Sequence, residues 1–195
     1  MKTKNRRRLL LLAAVAGVVA AAAAVAVPLI QRAVREVTLP LRHEDIIRQQ
    51  ARAKRLDPAL IAAVIFAESK FHGRTSSTGA QGLMQIQPST ARFIARRSGA
   101  QTFQLTDLGT PQINIQYGTY YLRYLLDRYG DNRVLAVAAY NAGETNVDRW
   151  IVRSGRGGRT FELRDIPFPE TRAYVRRVFD AERDYRHEYR HELGL

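Results

Sequence analysis

From Leu9 to Ile30 the chain carries 22 consecutive residues without a formal charge, mostly Ala, Val and Leu. Lys2, Lys4, Arg6, Arg7 and Arg8 stand directly before them. Such a run is long enough to cross a bilayer as one helix. The cations ahead of it predict an inside N-terminus and an outside C-terminal domain. A cleavable signal peptide is the rival reading, with Ala24-Val25-Ala26 as a small-residue cleavage site. The expectation is a single-pass anchor in the cell membrane, or alternatively secretion after cleavage. Both export the rest of the chain. The expected organisation is an anchor or signal sequence over 1–30, a linker over 31–42 between Pro28 and Pro40, and one domain over 43–195. There is no cysteine, which excludes a lipid anchor at a cysteine, a disulfide and a thiol-ligated metal. His43, His72, His187 and His191 form no credible ligand set, so neither a metal nor a cofactor is expected.

The domain's most informative residue is Glu68. Asp57 suits a helix N-cap and Pro58 the first helical position. In the apolar helix that follows, Leu60, Val64 and Glu68 are spaced i, i+4, i+8, with Ile61 and Ile65 flanking the stripe. The spacing therefore puts a carboxylate on the face that should be buried. Burial and the negative end of the helix dipole both favour the neutral acid. A raised pKa is what a general acid working near neutral pH requires. A solvated or ion-paired glutamate, with Lys70 or Arg74 as partner, is the plainer alternative.

Three more segments stand out. Gly79-Ala80-Gln81-Gly82-Leu83-Met84-Gln85-Ile86-Gln87-Pro88 has two glycines within four residues, suggesting a loop where backbone approaches something closely. Ala138-Ala139-Tyr140-Asn141-Ala142-Gly143 ends a short helix, and Phe168-Pro169-Glu170-Thr171-Arg172-Ala173-Tyr174-Val175 opens the last long one. Alone, each reads as turn, core or helix end.

Taken in this order, with Glu68-Ser69 before them and Asn114-Ile115, Gly118 and Tyr121-Leu122 between, they resemble the lytic transglycosylase family of the soluble (SLT), goose-lysozyme-like type. The resemblance covers roughly residues 43–180. It implies a mainly α fold (α+β), a lysozyme-like transglycosylase domain with a small β element. It also implies cleavage of peptidoglycan glycan strands between N-acetylmuramic acid and N-acetylglucosamine, leaving 1,6-anhydro-muramic ends. Most glycosidases use two carboxylates. The family uses one, which acts twice, and by resemblance this is Glu68: general acid to the glycosidic oxygen, then base to the C6 hydroxyl that closes the anhydro ring. Hydrolysis of goose-lysozyme type, or a non-catalytic glycan-binding scaffold, are the alternatives.

By the same resemblance Ser69, Met84, Gln85, Tyr140, Asn141, Glu170 and Tyr174 line the site and bind substrate. The residues by themselves leave other readings open. Ser69 could be an exposed hydroxyl at a helix end, Met84 a core residue, and Glu170 a first-turn carboxylate favoured by the helix dipole, if it does not steady Tyr174. Trp150 and Phe71 are read as core.

The expected helices run near 44–55, 58–70, 88–97, 111–129, 131–140 and 144–153, with a long one from about 170. Short strands are expected within 72–87, and Ile113, Tyr117, Tyr120, Tyr121, Tyr124 and Leu125 as an apolar face. Asp131 and Thr110 are read as caps. The formal charge is +13; five of these belong to the N-terminal cluster, leaving about +8, which suits an anionic wall or membrane surface. The Arg/Gly stretch 153–159 is read as a mobile loop and is too short to argue for nucleic acid. The expected partners are peptidoglycan strands and the membrane, with no nucleic acid.

Overall fold

The computed structural model of the protein describes residues 2–155 and 158–195, in two compact units, 1–40 and 41–195. The first is one helix, α1 (Lys2–Thr38). Among its described side chains Val15, Val18, Val19, Val25, Leu29 and Ile30 are all largely exposed. Val15–Thr38 is long and apolar enough to cross a membrane, by length and composition. The helix takes in Pro28 and continues through residues 31–38 of the stretch read as linker. Gln31 to Thr38 contain no breaker, and Arg32 pairs with Glu36 one turn on at 3.4 Å.

The second unit is α2 (Glu44–Lys54), α3 (Pro58–Ser69), β1 (Arg74–Thr75), β2 (Gln81–Gly82), α4 (Pro88–Ser98), α5 (Pro111–Arg128), α6 (Arg133–Ala142), α7 (Glu144–Ser154), α8 (Pro169–Glu188) and α9 (Arg190–Leu193). Short 3₁₀ turns at Leu105–Gly109, Gly158–Thr160 and Leu163–Asp165 join them. Arg156 and Gly157, at the centre of the Arg/Gly stretch, lie outside the described residues.

α3 is the hub. Asp57 caps it as its sequence predicts, its carboxylate accepting from Ala59 N at 2.8 Å, and Pro58 opens it. Ala59 to Ile65 are all buried. The helix is therefore covered on every side and not along one stripe, as expected of a helix apolar all round. α8 packs along it, α6 lies against α8, and α5 packs on α6 and α2. Trp150 and Phe71 are each 3% exposed and belong to the core.

Two local readings are corrected. Asn132, not Asp131, caps α6, accepting from Leu135 N at 3.1 Å; Asp131 takes a left-handed turn conformation (φ 59°) and pairs with Arg123. Thr110 stands at the N-cap of α5 but its hydroxyl donates to Asp107 O, at 2.8 Å. The buried face of α5 is also rotated from expectation. Asn114, Ile115, Tyr117, Gly118, Tyr121, Leu122, Leu125 and Leu126 are buried, while Ile113, Tyr120 and Tyr124 are half-buried. The small β element is present: β1 and β2 pair antiparallel, Arg74 opposite Gly82 and Thr75 opposite Gln81.

Candidate functional site

Glu68 sits in the last turn of α3. The helix stops just beyond it because Lys70 turns left-handed (φ 51°), its N–H closing on Phe66 O, and Phe71 follows at φ 62°. A left-handed bulky aromatic is strained and needs surrounding packing to hold it. The ring of Phe71 meets that of Tyr185 at 6.2 Å, inside the core. Glu68 is thus held on the most buried helix, while the residue as a whole is only half-buried.

Tyr174, on the inner face of α8 and 3% exposed, donates its phenol proton to Glu68 Oε1 at 2.6 Å. Among the described residues it is the one hydrogen-bond donor to this carboxyl, and no cation pairs with it. Lys70 and Arg74 point to solvent. Burial pushes the Glu68 carboxyl up to about 7; the Tyr174 hydrogen bond and the positive charge of Arg177 pull the other way without cancelling it. The guanidinium of Arg177 lies over the Tyr174 ring, 5.7 Å from its centre. Burial beside Glu68 holds the phenols of Tyr174 and Tyr140 well above their ordinary range, so both remain proton donors.

Tyr140, near the end of α6, feels the Glu68 charge and donates to Met84 O at 2.9 Å. Its ring packs on Tyr121 at 5.6 Å. Met84 is fully buried. It fits because residue 118, on α5, is glycine: a Cβ there would fall 2.2 Å from Met84 Sδ. Asn114 holds the same loop by its main chain. Its Oδ1 accepts from Met84 N at 2.8 Å, and its Nδ2 donates to Gln81 O at 2.9 Å and Leu108 O at 3.0 Å. Gly82 (φ 77°) is required beneath it, since a Cβ there would stand 2.0 Å from Asn114 Nδ2. Gln85, itself left-handed (φ 48°), donates to Arg74 O at 2.8 Å and Gly82 O at 2.7 Å, bracing the strand turn.

The remaining candidates sit apart from the carboxyl's own contacts. Ser69 is buried, not exposed, and its hydroxyl turns back to Ile65 O at 3.2 Å. Asn141 is exposed and accepts from the buried Thr171 at 3.0 Å, which ties the end of α6 to the start of α8. Glu170 is exposed in the first turn of α8, and among the described residues no hydrogen bond links it to Tyr174. Arg177 goes unnoticed in the sequence, and Thr171 is read within its segment without a role of its own. Arg177 follows Tyr174 by three residues, which is helical neighbour spacing, but α8 carries so many arginines that nothing singles it out.

The arrangement offers one carboxylic acid able to exist in both protonation states at neutral pH, steadied through one oxygen, with two phenols beside it. Comparison with known proteins identifies the family. Residues 45–160 match the family described as the transglycosylase SLT domain. The chain is 36% identical over 155 residues to the soluble lytic murein transglycosylase of Salmonella typhimurium, covering 78% of this chain and 24% of that one. It is 30% identical over 167 residues to the membrane-bound lytic murein transglycosylase C of Klebsiella pneumoniae, covering 74% of this chain and 46% of that one. The fold superimposes on an inactive mutant of the lytic transglycosylase Slt from Pseudomonas aeruginosa (TM-score 0.71, 30% identity, 80% of this chain and 26% of that one). It also matches a 70-kDa soluble lytic transglycosylase solved in complex with bulgecin A (TM-score 0.72, 32% identity, 78% and 25%). The chain spans about a quarter of the length of these soluble relatives. With most of its second unit matched and the lysozyme-like helical fold in place, the chain belongs to the transglycosylase SLT domain family.

Proposed function

We propose that the protein is a peptidoglycan lytic transglycosylase that cleaves the bond between N-acetylmuramic acid and N-acetylglucosamine, with Glu68 as the single acid and then base. The observation that carries this reading is the Glu68 carboxyl itself: drawn out of water, free of any ion pair among the described residues, poised at about 7 and bound through Oε1 by Tyr174.

In the first step the Glu68 proton passes to the glycosidic oxygen as the C1–O bond breaks. The oxocarbenium-like centre at C1 is supported by the substrate's own N-acetyl group, the substrate-assisted alternative to a second carboxylate. The Glu68 carboxylate left behind is stabilised by the Tyr174 hydrogen bond and the nearby Arg177 charge. In the second step the C6 hydroxyl attacks C1 and its proton returns to Glu68, which restores the acid. No water is consumed. Attack from within the same sugar has an entropic advantage over attack by solvent. Tyr140, Asn141, Met84, Gln85 and Ser69 would line or shape the sugar-binding surface, with Glu170 at its edge.

The relatives act, by name, on murein, which supports a murein substrate here, and the inactive mutant and the bulgecin A complex are structures of this same fold. A membrane-bound relative and the apolar α1 support action at the membrane with the domain outside the cytoplasm, or release after cleavage of α1. The deciding experiment is mass spectrometry of peptidoglycan digested by the protein. Anhydro-muropeptides are expected. Reducing ends would make it a hydrolase, and binding without digestion a scaffold.

A further inference from the structure

Away from Glu68, the ends of α2 and α4 and the outer side of α5 enclose a cavity of about 680 Å³ lined by Lys54, Arg97, Tyr120, Arg123, Tyr124, Asp127 and Arg128. Four cations face one acid. Asp127 and nearby Asp131 pair with Arg123, and Glu144 and Asp148 with Arg128, so the unpaired charge at the cavity is that of Lys54 and Arg97. Lys54 and Arg97 have no acidic partner among the described residues. Their helix ends already favour a cation, yet both side chains reach across to α5. The Lys54 ammonium and the Arg97 guanidinium each lie 5.1 Å from a ring centre, over Tyr120 and Tyr124. Those tyrosines are one helical turn apart, so both cations are held against α5 at the same cavity. Aromatic faces hold a cation in place without cancelling its charge.

We propose that this cavity is a second binding site, for a compact anion, carboxylate or phosphate, borne by the wall polymer and held by Lys54 and Arg97 above the Tyr120 and Tyr124 rings. That the anion belongs to the wall rests on the function proposed above; the anion chemistry does not. A chain of side-chain contacts runs from this site towards the first. Tyr124 and Tyr121 both donate to Glu144, at 2.9 and 3.3 Å, and Tyr121 packs on Tyr140. An anion here would hold the polymer on the domain by a grip separate from that on the sugars.

Titration calorimetry on the full-length chain in detergent tests this with three ligands: a wall peptide stem with free carboxylates, the same stem with its carboxyls amidated, and inorganic phosphate. We expect the free stem or phosphate to bind and the Lys54→Gln/Arg97→Gln pair to weaken that binding at least tenfold. Glu68→Gln should leave it unchanged. Stem binding lost on amidation identifies the stem as ligand, and phosphate binding without stem binding identifies a phosphate-bearing polymer. Amidation probes the charge pairing on unaltered protein, so a misfolded variant does not decide the matter. Equal affinity in parent and double variant, equal affinity for free and amidated stem with no phosphate binding, or no binding of any ligand, overturns the proposal. Failure of the glycan digestion with this binding intact would remove the proposed chemistry and leave the anion site standing.

Discussion

The phenol of Tyr174 donates to Glu68 Oε1 across 2.6 Å, joining α8 to α3 between residues 106 apart in sequence. The bond favours the carboxylate, so it restrains a pKa that burial alone would carry higher. Tyr174→Phe is therefore expected to move the basic limb of the pH–rate profile to higher pH and to slow turnover. The loss of a buried hydrogen bond should cost about 1 kcal/mol of stability. The check is a pH–rate profile alongside urea unfolding.

Glu68→Gln removes the transferable proton and keeps the side chain's shape. Glycan cleavage is expected to fall by the about 10²–10⁴-fold that general acid–base catalysis supplies, or more because one group serves both steps. Binding of glycan strands should persist. Release of anhydro-muropeptides and a pull-down on purified wall measure the two separately.

The same substitution should alter stability against pH in a definite direction. The Glu68 carboxyl has its folded pKa raised from 4.5 to about 7, so between these values the folded state holds more proton than the unfolded one. Stability attributable to this group is present below about 4.5 and is lost as pH rises through 7. A shift of this size corresponds to roughly 3 kcal/mol at most. Thermal melts from pH 4.5 to 8 should show a decline in the parent that is missing in Glu68→Gln, leaving the variant the more stable at pH 8.

Asn114→Ala would strip partners from Met84 N, Gln81 O and Leu108 O together. Gln81 O keeps its bond from Ile86 N, so two buried groups are left unsatisfied, and at about 1–3 kcal/mol each the loss should be about 2 kcal/mol or more. Denaturant unfolding measures it, and activity at low temperature should fall even where the domain remains folded, because the Met84 carbonyl anchors Tyr140.

Gly118→Ala places a methyl 2.2 Å from Met84 Sδ and 2.8 Å from its Cβ. The near Cβ means that swinging the end of the methionine does not relieve the clash. An overpacking cost of about 1–3 kcal/mol is expected. Combining it with Met84→Ala, which removes Sδ and Cε but keeps Cβ, should recover part of that loss in a double-mutant cycle.

Local chemistry made much of this architecture legible in advance. Asp57-Pro58 marks the start of α3 because capping needs only residues adjacent in sequence, and the glycines at 79 and 82 mark the strand turn for the same reason. Glu68 could be singled out because a carboxylate in an apolar run is costly wherever the run packs. The errors came where neighbours compete or where packing decides. Asp131 and Asn132 are both good caps, and Arg123 draws the aspartate away. The wetter side of α5 carries tyrosines whose rings are covered by cations from α2 and α4, which periodicity alone reads as an apolar face. Arg177 acts on Glu68 only through the meeting of α8 with α3, a relation that no spacing within one helix encodes.

Asn114 binds main-chain atoms alone at all three of its contacts, so the form of the 81–85 turn is set from a different helix as well as by the turn's own Gln85. Apart from Gly82, the wedge of Met84 and the brace of Gln85, that turn can exchange its outward groups without unravelling. Its chemistry is thereby left open to variation while its contour is inherited from α5.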